Sequence, residues 1–290
     1  MKKIIFILII NFLLAGINKL NNDSFEVVPA FNQFEIEVLP YINYTQETKK
    51  DVLDKRFQYG HRFEVDYDID YSGTLKILDN GDTIWKLGIY SSDAYGLKIQ
   101  FKKLNLPQGT KLYIYNDLGD MVYGPYETHD NPLGEKFGSP LLKGDMIIVE
   151  YHQPNHISEQ AQIKISSVIH DYTDIFNFYS NGRDRDCGEN VVCDSAQNYR
   201  DQSNSVIYML INQYTCSGSL LNNVNSDNTP YVLTAWHCIV GETNLNEHND
   251  FVYYFNHESS TCLGTEGSFE YSVSGSTLLA TRNENVGSDF

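Results

Sequence analysis

Tyr231-Val232-Leu233-Thr234-Ala235-Trp236-His237-Cys238 reads as an apolar strand that ends on a histidine and a cysteine, and Cys216-Ser217-Gly218-Ser219-Leu220 stands shortly before it. A histidine at a strand end is fixed by the strand yet free to face a cleft. Cys238 can staple that turn to Cys216. Such rigidity suits an imidazole that must take up a proton and return it from one orientation.

The same β reading extends outward. Val206 to Ile211 and Phe251 to Phe255 are further strands of a region spanning 187–290. Upstream, residues 61–172 read as a second all-β unit of short strands. Leu97, Ile99 and Phe101 alternate with polar residues, as do Leu112 with Ile114 and Ile163 with Ile165. Met146 to Val149 is a continuous apolar run, as in a strand buried on both faces. The breaks carry turn residues: Asp79-Asn80-Gly81, Pro107-Gln108-Gly109, Asp117-Leu118-Gly119 and Lys143-Gly144-Asp145. Strands at this spacing predict a β-sandwich. It has its own apolar strands and no cysteine, so it is expected to fold by itself. Residues 22–60 read as a poorly packed leader or short helix, and 173–186 as a linker whose polar run Ser180 to Asp186 invites proteolysis.

Composition narrows the function. The formal charge is −17, from 38 acidic against 21 basic residues, with no Lys/Arg-rich run; this excludes a nucleic-acid binder, which needs a basic face. Residues 1–16 have the form of a signal peptide: Lys2 and Lys3, then the apolar run Ile4 to Leu14, then the small residues Ala15 and Gly16. The run is too short to span a bilayer comfortably. The expected product is secreted, extracellular or periplasmic, and not membrane-bound after signal cleavage. Five cysteines, Cys187, Cys193, Cys216, Cys238 and Cys262, all lie at or after residue 187. Export favours pairing, and an odd count leaves one without a partner in the chain.

Taken together, 187–290 resembles the trypsin-like serine peptidases of the chymotrypsin fold and, among them, the bacterial lysyl endopeptidases. The resemblance is carried by Cys187 and Cys193, by Cys216-Ser217-Gly218-Ser219-Leu220 and by Leu233-Thr234-Ala235-Trp236-His237-Cys238. Tyr254-Phe255-Asn256 followed by Cys262, Val273-Ser274-Gly275-Ser276-Thr277 and Ser288-Asp289-Phe290 complete it. It implies that His237 is the general base and Asp289 the carboxylate that orients it, in the His-then-Asp order of that fold. It implies disulfides Cys216–Cys238 and Cys193–Cys262, with Cys187 pairing into a second barrel. The expected fold is all-β: a β-sandwich-like pro-region followed by a truncated first barrel of a chymotrypsin-like double β-barrel. No G-x-S-G loop follows Asp289, so the nucleophilic serine is expected beyond this chain, and the 290 residues alone are expected to be inactive.

The expectation is thus a secreted endopeptidase precursor acting on protein or peptide substrates without a cofactor. An intramolecular contact is expected between pro-region and peptidase part. No Lys follows Lys164, so processing in the linker would have to follow Arg183 or Arg185. The rival from another class is a non-catalytic secreted binding or adhesion module with a degenerate peptidase-like remnant. Zinc at His237-Cys238 would need further ligands at metal spacing. His152 and His156 flank Pro154 and do not share a helical face. Asp66, Asp68 and Asp70 could attract calcium, but the loop glycine and distal Glu of an EF-hand are missing, and the solvent face of a strand is expected. Trp85 is expected in a core rather than on a sugar-binding face.

Overall fold

The computed structural model describes residues 8–9 and 17–19 as backbone, and residues 33–43, 56–177, 189–225, 227–239, 248–264, 267–281 and 289. In chain order the first strands are β1 (Leu8–Ile9), β2 (Ile17–Lys19), β3 (Ile36–Val38), β4 (Phe57–Gln58), β5 (Gly60–Asp68), β6 (Thr74–Ile77) and β7 (Thr83–Tyr90). Then come β8 (Gly96–Asn105), β9 (Lys111–Asn116), β10 (Val122–Tyr126), β11 (Phe137–Gly138), β12 (Leu142–Lys143), β13 (Met146–Gln153) and β14 (Gln162–Asp171). The last are β15 (Val206–Ile211), β16 (Tyr214–Leu221), β17 (Tyr231–Thr234), β18 (Val252–Phe255) and β19 (Tyr271–Ser274). The fold is all-β; the one α-helix among the described residues is the single turn Arg200–Ser203.

Two sheets build the N-terminal unit. One runs β10-β9-β13-β7-β3, with β6 also on β7; the other runs β11-β8-β14-β5, with β12 on β8. Their facing sides share one core. Trp85, Leu87, Ile89, Ile147, Val149, Leu112 and Ile114 come from the first sheet, and Leu97, Ile99, Phe101, Ile163, Ile165 and Val168 from the second. These are the alternate positions of each strand, as the period of two requires, except in β14, where an irregularity between Ile165 and Ser167 moves the next inward position to Val168. Trp85 belongs to this core, donating Nε1–H to the Ser72 carbonyl at 2.7 Å. The glycines of all four predicted turns have positive φ, from 69° at Gly119 to 105° at Gly144.

Residues 33–43 are not a loose leader or helix. Ile36–Val38 lies parallel to β7, opposite Gly88, Ile89 and Tyr90, and Leu39 and Ile42 are buried. What holds this segment is visible beneath it. Lys86 and Glu150 face each other across β7 and β13, 2.8 Å apart and almost wholly buried. Phe34 lies over the ammonium, 5.2 Å from ring centroid to Nζ. Burial pushes the Glu150 carboxyl up, but hydrogen bonds from His152, Lys86 and Tyr115 outweigh it and hold the pKa down at about 2. A buried ion pair tolerates removal from water only with such additional partners.

The third sheet runs β1-β17-β16-β15-β18-β19-β2, with β4 on β16, and is open rather than closed into a barrel among the described residues. Its strands have two apolar faces. Ile207, Met209 and Ile211 of β15 and Tyr253 and Phe255 of β18 face one core with Val232, Cys238, Phe251 and Leu278. Leu210 of β15 and Val252 and Tyr254 of β18 face the other way, against Leu141 and Ile169 of the N-terminal unit and against Tyr59, Ile175 and Phe176, so Tyr59 is not in a loose leader and 173–177 is packed where a linker was expected. The molecule is therefore three sheets deep along this line. The two short strands from residues 8–9 and 17–19 lie on opposite edges of the third sheet, beside β17 and β19. An Ile-rich segment finds its backbone partners where a sheet edge leaves N–H and C=O groups unpaired.

Candidate active site

His237 is positioned by what precedes and follows it. Strand β17 ends at Thr234, and a 3-10 turn over Trp236–Ile239 swings the ring off the strand end. The Cys216–Cys238 disulfide ties that turn to β16. Gly218 of the Cys-Ser-Gly-Ser-Leu run explains how close the strands lie. A Cβ there would sit 2.9 Å from a Val232 methyl and 3.1 Å from the Met209 sulfur, so a larger residue would push β17 away.

Asp289 grips the same turn at three points. Its carbonyl accepts from the Trp236 N–H at 3.2 Å. One carboxylate oxygen accepts from the His237 N–H at 3.0 Å, and the other lies 2.7 Å from His237 Nδ1. The two side chains keep 29% and 36% exposure, so the site is open to solvent while its ring is oriented. The backbone of Asp289 has φ 41°, a left-handed conformation that Asp tolerates better than most residues. A carboxylate fixed at Nδ1 presets Nε2 as the outward nitrogen.

Residues 181–290 match the family model described as lysyl endopeptidase, C-terminal domain. Over that segment the chain is lysyl endopeptidase-like, and the protein is peptidase-related. Elements that carried the resemblance occupy defined places in the third sheet. Gly275 and Ser276 of the Val-Ser-Gly-Ser-Thr run bond through their N–H groups to the carbonyls of Phe251 and His248, and Ser276 Oγ lies 2.6 Å from Tyr253 OH. Cys193 and Cys262 are joined in a second disulfide. Beside it, the Asn190 side-chain amide donates to the carbonyls of Cys262 at 2.7 Å and Gly264 at 2.9 Å. Arg200 forms a two-pronged ion pair with Glu258. Loops of 69 and 22 residues closed by the two disulfides correspond to about 4 and about 3 kcal/mol in the chain-entropy account. Cys187, Arg183 and Arg185 lie outside the described residues.

The sulfurs of Cys216 and Cys238 and a ring nitrogen of His237 lie within 4.8 Å of one another, the spacing of a metal site. The sulfurs are bonded to each other, however, and a disulfide offers no thiolate to a metal. The other candidates have ordinary roles. Asp66 is paired with Lys102 and accepts from Tyr71 OH. Asp68 is not on the solvent face: it is buried at the strand end, 2.6 Å from Lys164 Nζ. His152 joins the Glu150 network at 2.6 Å, while His156 is exposed on the following turn. No described helix is long and apolar enough to cross a membrane.

Alternation in β8 missed one group of residues. Lys98 and Gln100, which look like a solvent face, are buried against the third sheet. Lys98 Nζ donates to the Asp250 carbonyl at 3.1 Å, and Gln100 Nε2 donates to Asp250 Oδ2 and to Asn212 Oδ1, each at 2.8 Å. Arg62 donates to the same Asn212 oxygen at 3.1 Å. Burial lowers the Lys98 pKa to about 8, opposed by the charge of Asp250.

Proposed function

We propose that the chain is the front part of a secreted serine endopeptidase precursor, with His237 as general base and acid and Asp289 as its orienting carboxylate. The carrying observation is the 2.7 Å contact between His237 Nδ1 and Asp289 Oδ2 beside the 3.0 Å bond from the His237 N–H to the same carboxylate. The match of residues 181–290 to the lysyl endopeptidase domain supports it.

The chemistry follows from the ring orientation. With the Nδ1 proton directed at Asp289, Nε2 offers a lone pair to a serine hydroxyl. That serine is proposed to lie outside these 290 residues. As its oxygen bonds to the substrate carbonyl carbon, its proton passes to Nε2, and Asp289 stabilises the imidazolium. The proton then goes to the departing amine as the peptide C–N bond breaks. A water, deprotonated by the same nitrogen, hydrolyses the acyl ester and restores the serine. The substrates are proteins or peptides. Residues 1–16 are a signal peptide whose removal would vacate the β17 edge, and processing falls in 182–186, after Arg183 or Arg185.

The test is to read the coding sequence past Phe290 and express the longer product. This reading expects a G-x-S-G serine that a fluorophosphonate labels in the parent and not in His237→Ala. A stop codon after Phe290 overturns it and leaves a secreted β-sandwich binding module; labelling indifferent to His237 overturns the role of His237 as the base.

A further inference from the structure

We infer that the N-terminal sandwich is a lasting structural partner of the peptidase-like sheet, docked on its outer face, and not a plug over His237. Strand alternation separates the two roles. Side chains at successive positions of β15 and β18 point to opposite faces. Met209 and Tyr253 face the core that contains Cys238, the neighbour of His237, whereas Leu210, Val252 and Tyr254 face the sandwich. The sandwich thus backs the sheet from the side away from the histidine turn, whose imidazole keeps 29% exposure.

The docking face has the character of a permanent contact. Ile169, Ile175 and Phe176 from the sandwich side and Leu210, Val252 and Phe269 from the sheet are all buried together, with the rings of Phe176 and Phe269 4.6 Å apart. Separation would expose apolar surface on both halves, which soluble monomers avoid at this scale. Register is set by polar bonds in the same face. The Leu141 N–H donates to Tyr254 OH at 2.9 Å, and Ser274 Oγ donates to the Gly138 carbonyl at 2.6 Å. Asn212, at the β15–β16 turn, accepts from both Arg62 and Gln100 through Oδ1. The sandwich also adds β4 to the edge of β16, beside Tyr214 and Thr215. At Gly138 the halves touch backbone to backbone: any Cβ there would overlap the Asp250 carbonyl.

The inference rests on the precursor reading only in assuming that the chain is cut between the two halves. The experiment inserts a site for a specific peptidase into 178–188 of the full chain, cuts it, and passes the product over a sizing column at micromolar and at 50-fold lower concentration. The two pieces are expected to elute together at both. Gly138→Val should raise the dissociated fraction at least tenfold, and Asn212→Gly, which keeps the φ of 53° while deleting the shared acceptor, at least threefold. Leu118→Ser, on an exposed turn, should change nothing. In the uncut chain, diethyl pyrocarbonate should modify His237 within tenfold of the rate at exposed His129, with His237→Ala identifying the signal. Pieces that separate at micromolar concentration overturn the lasting partnership. Hundredfold protection of His237 in the uncut chain, released on cutting, overturns the docking side. Neither readout uses turnover, so both stand if the catalytic reading fails, and their failure leaves the His237–Asp289 geometry untouched.

Discussion

His170 and Asp171 end strand β14 side by side, both fully buried, and their titrations should cancel until one of them is replaced. Burial, with help from His61, lowers the His170 pKa from 6.5 to about 4, against the pull of Asp93. Burial raises the Asp171 pKa from 3.8 to about 6, against hydrogen bonds from the Ile175 N–H, the Thr173 N–H and the Thr173 hydroxyl. At pH 5 the folded chain therefore holds a proton on Asp171 and none on His170, while the unfolded chain holds the reverse. Equal proton counts give no slope of stability with pH. Ser91 Oγ lies 2.7 Å from His170 Nδ1, and His170→Gln, which keeps a polar side chain there, removes one side of this balance. The raised Asp171 pKa then acts alone. Its stabilisation is fully present below pH 3.8 and is lost as pH rises through about 6, a fall of about 3 kcal/mol. Asp171→Asn leaves the lowered His170 pKa, whose stabilisation is present above pH 6.5 and is lost by about 3 kcal/mol as pH falls through about 4. Urea unfolding at pH 4, 5, 6 and 6.5, each variant referred to the parent at the same pH, reads these opposite trends. Differences that stay constant with pH in both variants would refute the assignment.

Three further outcomes are expected. Replacing Cys216 and Cys238 together by Ser should lower stability by about 3 kcal/mol in denaturant melts, from the 22-residue loop they close. Lys86→Met should cost about 3–5 kcal/mol because it strands Glu150 in the core, and Lys86→Met with Glu150→Leu should recover most of that in the same melts. In the longer product that the proposed function expects, Asp289→Asn should lower kcat roughly 10⁴-fold with little change in KM, the size of effect that loss of the orienting carboxylate has in a Ser-His-Asp site, as read by single-substrate kinetics.

Much of the architecture was legible because strands announce themselves by period and turn residues. Val206 to Ile211 and Met146 onward are strands where the apolar runs stand. His237 and Asp289 could be named because each lies in a short run of distinctive residues, although the contact between them spans 52 positions. Two of the misreadings share one cause, a non-local cover. Lys98 and Gln100 occupy alternate positions of β8 and look solvated, and only the arrival of a third sheet buries them. Residues 36–38 form a strand by pairing parallel to β7, some fifty residues away, and three residues carry too little alternation to signal it. Alternation reports which residues share a face; it does not report whether that face meets water.

That distinction bears on how the site is held. The ring orientation depends on a fixed turn, and the turn bearing His237 hangs from β17, which among the described residues pairs with β16 and the short β1. The stiffness of β17 therefore derives from β16 and β15 behind it. Strand β15 is rigid because both its faces are packed: Ile207, Met209 and Ile211 on one side, Leu210 against the sandwich on the other. Close-packed interiors transmit displacement from one side chain to the next. The sandwich is thus coupled to the histidine turn through two strands and a disulfide without touching it. Keeping the N-terminal unit in place therefore favours an oriented His237, because uncovering Leu210, Val252 and Tyr254 would loosen the sheet from which the histidine turn hangs.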